Sequence, residues 1–122
     1  MPKSVAIIGD LFMLPEVFAR ELEAACGDKV ALHVRKDNWP DEPMEHGYAV
    51  DGMDGLKEYF GTVDDVVNFV GDAEIFVTHL APLSRGMFEK LPNLKLVAVS
   101  RGGPVNIDMA AAKDYGVTVV NT

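Results

Sequence analysis

Cysteine is scarce in this sequence. Cys26 is the one cysteine among 122 residues, so the chain can form neither an internal disulfide nor a cysteine-rich zinc site, and a reducing compartment is expected. Cys26 is a poor candidate nucleophile, because it lies near the end of a predicted amphipathic helix with no histidine beside it. A small hydrophobic role in the core is the usual one for a free cysteine.

Long apolar runs and runs of positive charge are also missing. The sequence has no stretch long enough for a membrane-spanning helix and no start typical of a signal peptide. Its 11 Lys and Arg are scattered, and the formal net charge is −8, which disfavours the basic surface that nucleic-acid binding needs. We therefore expect a soluble cytoplasmic protein without nucleic-acid or membrane partners.

The sequence also has no dinucleotide-binding turn. Such a turn reads Gly-x-Gly-x-x-Gly after a strand, with an acidic residue about 20 positions later. The segment Gly9-Asp10-Leu11-Phe12 stands in that place and offers a single glycine. We predict that this chain binds neither NAD nor NADP by itself.

Metal-ligand residue types occur together in one polar segment, at Asp41, Glu42, Glu45 and His46. The segment contains prolines and has no rigid helical or strand spacing, so a solvated acidic loop is the favoured interpretation and no metal site is predicted.

What remains is typical of a globular domain. The chain is 48% hydrophobic and 25% charged, close to the averages for folded proteins. Its length suffices for one hydrophobic core. We interpret residues 1–122 as a single domain.

Short apolar runs alternate with segments of helical period. Strands are predicted where consecutive or alternate apolar residues end at a turn, over residues 3–8, 30–34, 74–78, 94–99 and 117–120. Helices are predicted between them from capping residues, first-turn prolines and terminating glycines, with starts marked by Pro15, Thr62, Ser84 and Asp108, ends marked by Gly27 and Gly116, and a further short helix over 53–60.

This alternation predicts a parallel sheet with helices on both faces. Right-handed crossovers leave few topologies, and the strand order 2-1-3-4-5 is the common one for five such units. The expected fold is a flavodoxin-like three-layer αβα sandwich with a five-stranded parallel sheet in that order.

Small molecules bind such folds beyond the carboxyl ends of the strands. Gly102 and Gly103 follow the fourth predicted strand, where they would let the backbone approach a carboxylate and present N–H groups to it. Arg101 beside them could add a charge-assisted contact. A tight turn without a ligand explains the two glycines equally well. His79 follows the third strand, where a general base could stand, although loop capping or solvent exposure is more usual.

A family pattern matches the same region. Residues 91–108 read Leu-Pro-Asn-Leu-Lys-Leu-Val-Ala-Val-Ser-Arg-Gly-Gly-Pro-Val-Asn-Ile-Asp, and residues 115–122 read Tyr-Gly-Val-Thr-Val-Val-Asn-Thr. This segment resembles the D-isomer-specific 2-hydroxyacid dehydrogenases, which include phosphoglycerate dehydrogenase. Their pattern is Leu-Lys, a strand, Gly-x-Gly-x-Asp-Asn-Ile-Asp, an Ala-rich helix ending in Gly, and an apolar strand before Asn-Thr-Pro-Gly. The resemblance is weak over residues 1–90.

The resemblance implies which residues bind the substrate. Members of this family hold the substrate carboxylate with backbone amides of the turn matching Gly102 and Gly103, and with the loop matching Leu80 and Ala81. Arg101 departs from the family, which has Gly at this position. We hypothesise that Arg101 is an extra anion contact, as a sugar acid or another polar 2-hydroxy acid would need.

The resemblance also implies what lies elsewhere. The chain matches the N-terminal portion of a substrate-binding domain, with an NAD- or NADP-binding Rossmann domain and the family's catalytic Arg, Glu and His expected downstream of Thr122. The parent enzyme would be a homodimeric oxidoreductase that converts a D-2-hydroxy acid into a 2-keto acid. The present chain would hold no catalytic residue, would be inactive alone and would leave an apolar patch exposed that favours self-association.

Three other functions are alternatives. A phospho-receiver domain has this length and topology, but of its expected acidic and lysine positions the sequence supplies Asp10 alone, so we reject it. A flavin carrier would need a Ser/Thr-rich phosphate loop after the first strand, which is missing. A stand-alone small-anion-binding or interaction module without catalysis stays open.

Overall fold

The computed structural model describes residues 3–9, 14–36, 63–79, 81–100 and 106–121. Strands and helices alternate along these segments. The strands are β1 (Lys3–Gly9), β2 (Val30–Lys36), β3 (Ile75–Thr78), β4 (Leu96–Val99) and β5 (Thr118–Asn121). The helices are α1 (Pro15–Cys26), α2 (Val63–Val70), α3 (Arg85–Glu89) and α4 (Met109–Asp114), with a 3₁₀ turn at Gly27–Lys29.

The five strands form one parallel sheet in the order β2-β1-β3-β4-β5. This confirms the predicted strand order. Since β1 is followed along the chain by β2 on one side and then by β3 on the other, the connections change direction between β1 and β3. Such a switch point opens a crevice beyond the carboxyl ends of the strands.

Helices cover both faces of the sheet, as predicted. Alternate residues of β1 face opposite sides: Ala6 and Ile8 pack against α2, α3 and α4, whereas Val5 and Ile7 pack against α1. Strands buried on both faces are typical of a parallel sheet between two helical layers. The three-layer αβα architecture is confirmed.

Helix ends follow the predicted signals. Gly27 ends α1 with a φ of 58°, and Gly116 follows α4 with a φ of 72°. L-residues other than glycine adopt such angles at a cost, so both positions suit glycine. Asp108 is the N-cap of α4 and accepts a hydrogen bond from the Ala111 N–H at 3.0 Å.

All five strands differ from their predicted bounds by one or two residues, and β4 and β2 each differ by two. β4 begins at Leu96 and not at residue 94, because the Leu94 N–H closes a turn with the Leu91 carbonyl. β2 extends to Lys36, where it still pairs with Gly9 of β1. The predicted helix over 53–60 and the N-cap Thr62 lie outside the described residues.

Candidate functional site

The carboxyl ends of β1, β3, β4 and β5 lie along one edge of the sheet, because all the strands are parallel. The loop after β3 and the segment after β4 both leave from this edge, beside the switch point between β1 and β3. Sequence reasoning places the candidate site here, and polar side chains determine its local structure.

Thr78 joins the ends of three strands. Its hydroxyl donates to the Ile8 carbonyl of β1 at 2.9 Å and accepts from the Ala81 N–H at 3.2 Å. Its backbone carbonyl accepts from the Ser100 N–H, just beyond β4, at 3.0 Å. Thr78 is fully buried, so its hydroxyl fixes the start of the loop after β3 and is not available to a ligand.

Asn106 joins the loop after β3 to the segment after β4. Its side-chain amide donates to the Ala81 carbonyl at 2.7 Å and to the His79 carbonyl at 3.5 Å, and the residue is fully buried. The Leu83 N–H donates to the Asn106 carbonyl at 3.0 Å, and the Asp108 N–H donates to the Leu83 carbonyl at 2.8 Å. These hydrogen bonds join His79, Ala81 and Leu83 to Asn106 and Asp108, and we call these five residues the edge wall.

Of the predicted substrate-binding residues, Ala81 lies in the edge wall. It is 1% exposed, and both its N–H and its carbonyl make hydrogen bonds within the protein. In this structure Ala81 shapes the loop through its backbone. Leu80, Arg101, Gly102 and Gly103 lie outside the described residues.

His79 is buried, with 9% of its surface exposed. The structure therefore does not place His79 in solvent, which was one of its expected environments. Its backbone carbonyl takes part in the edge wall by accepting from Asn106.

An apolar cleft of about 320 Å³ lies on the α1 face of the sheet and reaches the carboxyl edge. α1 is the only described helix on this face, and Val120 of β5 is 47% exposed there. Ser100 and Asn121 lie where the cleft meets the carboxyl edge. The apolar lining residues include Phe18, Leu22, Val77, Ala98 and Val120.

Other reactive groups do not form a second centre in the part of the chain that the structure describes. No group of three or more His, Cys, Asp and Glu residues is placed to hold a metal ion there, and Cys26 is a free, half-buried thiol. The acidic segment with Asp41 and His46 lies outside the described residues. No described helix is both long and apolar enough to cross a membrane.

The resolved pKa shifts belong to pairs that join α3 to α4. A hydrogen bond to the Glu89 carboxylate raises the pKa of Tyr115, and a hydrogen bond to Asp114 raises the pKa of Arg85. Both groups are exposed, so these pairs contribute little to stability. They include none of the predicted site residues.

Thr78 and Asn106 are the residues that sequence reasoning missed. The available signal was a polar residue inside an apolar pattern: Thr78 ends the strand Ile75–Thr78, and Asn106 directly precedes the buried Ile107. Buried polar side chains need hydrogen-bond partners, and at a strand end those partners are loop backbone groups.

Known proteins with similar sequences include a family of enzymes and individual relatives. The family model for the D-isomer specific 2-hydroxyacid dehydrogenase, catalytic domain, matches residues 42–122. A glycerate dehydrogenase of Methylorubrum extorquens is 35% identical over 88 residues, which cover 72% of this chain and 24% of that protein. A hydroxypyruvate reductase of Blautia hydrogenotrophica is 37% identical over 59 residues, covering 48% of this chain and 18% of that protein. The chain thus matches at most a quarter of either relative.

Among solved structures, the NAD⁺-bound 3-phosphoglycerate dehydrogenase of Entamoeba histolytica superposes on the whole chain with a TM-score of 0.68. The match covers 33% of that chain at 15% sequence identity. At this identity the similarity concerns the fold.

Proposed function

Because this chain belongs to the D-isomer specific 2-hydroxyacid dehydrogenases, we propose that it forms the substrate-binding part of an NAD- or NADP-dependent oxidoreductase. The reaction proposed is oxidation of the CH–OH group of a small D-2-hydroxy acid to the 2-keto acid, and its reverse. The observation that supports this most is the edge wall, which joins the loop after β3 to the segment after β4 beside the switch point of the sheet, and ligands bind at such switch points in folds of this type.

The proposed substrate contacts are Leu80, Gly102, Gly103 and Arg101, with Ala81 acting through the shape of its loop. Backbone N–H groups at a pair of glycines suit the carboxylate of the substrate. Arg101 offers a positively charged contact in addition to these N–H groups, which favours a polar acid over a purely aliphatic one. The named relatives act on glycerate and hydroxypyruvate, so small acids of this kind are the first substrates to test.

The cofactor is proposed to bind outside this chain. A nicotinamide cofactor would supply the hydride acceptor for this oxidation. The residues present do not fit a dinucleotide, because the segment after β1 has one glycine and no Gly-x-Gly-x-x-Gly turn. We propose that a dinucleotide-binding domain, with the catalytic Arg, Glu and His, is encoded downstream of Thr122, and that the whole enzyme is a cytoplasmic homodimer. The small share of each relative that the chain covers supports this division.

Substrate binding can be tested on the chain itself by titrating ¹⁵N-labelled protein with D-glycerate and recording amide chemical shifts. We expect weak binding, since only one side of the site is present, with shifts concentrated in residues 79–83 and 100–108. L-glycerate is the stereochemical control and glycerol the control without a carboxylate. Equal shifts spread over the whole surface would contradict the assignment.

The contribution of Arg101 to substrate affinity can be tested by a substitution. Arg101→Ala should weaken binding of D-glycerate about tenfold, the effect of losing one charge-assisted hydrogen bond. Arg20→Ala, in α1, removes an equal charge from a residue with no proposed ligand contact. Unchanged affinity in Arg101→Ala would remove Arg101 from the site.

A further inference from the structure

We propose that Asn106 is a positioning residue of the substrate site, which holds the loop after β3 in the shape that the substrate meets. The inference rests on the proposed function, because it concerns how the same site is organised. Asn106 is fully buried, so it acts through the loop and does not touch substrate.

The side chain of Asn106 is matched to this role. A neutral amide nitrogen has two N–H donors, and here they face two backbone carbonyls, those of Ala81 at 2.7 Å and His79 at 3.5 Å. Aspartate has the same shape but would place a carboxylate against two carbonyl oxygens. Leucine would remove the two N–H donors that these carbonyls accept from, and the loss of a donor at a buried carbonyl is costly.

The loop is anchored independently at its two ends. At the start, the Thr78 hydroxyl bonds to Ile8 and accepts from the Ala81 N–H. At the far end, Leu83 exchanges backbone hydrogen bonds with Asn106 and Asp108. Asn106 therefore supports the middle of a loop whose ends stay fixed when its side chain is removed. The expected result is local loosening at His79 and Ala81 and not unfolding of the domain.

Loosening of this kind should affect substrate binding more than chemistry. The groups that react with the substrate are proposed to lie outside this chain, so kcat should change little. If the loop has to become ordered when the substrate binds, the enzyme binds both the substrate and the transition state less tightly by the same factor. Such a loss raises KM and leaves kcat unchanged. We expect Asn106→Ala in the full-length enzyme to raise KM for the D-2-hydroxy acid on the order of tenfold, with KM for the cofactor unchanged.

The chain offers a matched control at the opposite edge of the same two strands. The side-chain amide of Asn93, before β4, donates to the carbonyl of Asp72, before β3, at 3.4 Å. Asn93 thus joins two loops at the amino edge as Asn106 does at the carboxyl edge. Asn93→Ala should leave KM and kcat unchanged, because no ligand is proposed to bind at that edge.

The experiment combines steady-state kinetics with amide hydrogen exchange. Kinetics of the full-length wild type, Asn106→Ala and Asn93→Ala, with NAD and NADP and D-glycerate or D-lactate, give KM and kcat. Amide exchange on the same proteins tests whether the Asn106 hydrogen bonds hold the loop in place. Asn106→Ala should accelerate exchange at Ala81 about tenfold, and Asn93→Ala should not. Asn106→Ser, whose hydroxyl reaches at most one of the carbonyls, replaces Asn106→Ala if that variant does not fold.

The outcomes separate the two proposals. A wild type that oxidises no D-2-hydroxy acid overturns the proposed function and, with it, a positioning role in that reaction. An active wild type whose Asn106 variants keep their KM overturns the positioning role and leaves the function standing. Unchanged exchange at Ala81 in the Asn106 variants overturns the claim that the Asn106 side chain holds this loop. A raised KM with unchanged kcat and faster exchange supports the inference.

Discussion

At the scale of single residues, the Thr78 side chain holds the end of β1 and the loop after β3 together. It lies where β1 and β3 end together, and one hydroxyl serves both as donor to Ile8 and as acceptor from Ala81. In a fully buried position such a hydroxyl is stabilising only while both partners are present, because an unpaired carbonyl or amide is costly away from water. The proposed site therefore depends on a side chain that no ligand can reach.

Replacing Thr78 by valine keeps the shape of the side chain and removes the hydroxyl. We expect Thr78→Val to lower the free energy of unfolding by about 1–3 kcal/mol, measured by urea denaturation. Thr118→Val, at an exposed position in β5, is the matched control and should change it by less than about 0.5 kcal/mol. Equal effects at the two positions would contradict the role assigned to the Thr78 hydroxyl.

At the scale of the element, α4 shows how six residues form a defined helix. The Asp108 side chain accepts from the Ala111 N–H, and Gly116 follows the helix at a positive φ. Ala111 and Ala112 are buried in the core. Because so short a helix has few internal hydrogen bonds, its ends and its packing determine its stability.

The cap of α4 can be tested directly. Asp108→Ala should lower the free energy of unfolding by about 1 kcal/mol, the usual contribution of a side-chain N-cap. Asp114→Ala, in the last turn of the same helix, removes a like charge from an exposed pair with Arg85 and should change it by less than about 0.5 kcal/mol. Thermal unfolding of the two variants side by side makes the comparison, and a larger loss in Asp114→Ala would refute it.

Elements of this fold are predictable from the sequence where the signal is local. Gly27 and Gly116 mark helix ends because the conformation depends on the residue itself. The start of β4 is less predictable, since the Leu94 N–H donates to the Leu91 carbonyl in a turn and not to a neighbouring strand. The role of Asn106 depends on two loops 25 residues apart in the sequence, a relation that no local pattern contains. The sequence thus indicates a candidate site at the carboxyl edge, whereas the partners of its buried polar side chains become known only from the structure.

At the scale of the whole molecule, the two faces of the sheet are unequally covered. Among the described residues, three helices pack on one face and α1 packs on the other, and the apolar cleft lies on the α1 face beside β4 and β5. Uncovered apolar surface of this kind favours association. The family resemblance implies an exposed apolar patch, for which this cleft is the candidate, and self-association of the isolated chain stays a prediction.

Two exposed valines on the edge strands provide the test. Val120 of β5 lines the cleft and is 47% exposed, whereas Val34 of β2 is 44% exposed and lies outside the cleft lining. Val120→Lys should reduce both self-association, measured by analytical ultracentrifugation, and fluorescence of a bound hydrophobic dye. Val34→Lys should leave both nearly unchanged, since lysine is well tolerated on edge strands. Equal effects of the two variants would argue against the cleft as the associating surface.

The central claim is that this chain supplies the substrate-binding part of a D-specific 2-hydroxyacid dehydrogenase. Its most direct test is the rate of NAD- or NADP-dependent oxidation of D- and L-glycerate and D- and L-lactate by the full-length protein. We expect turnover of at least one D-acid, with kcat/KM for the L-enantiomer lower by a factor of about 100 or more. Turnover of neither enantiomer, or equal turnover of both, would contradict the account.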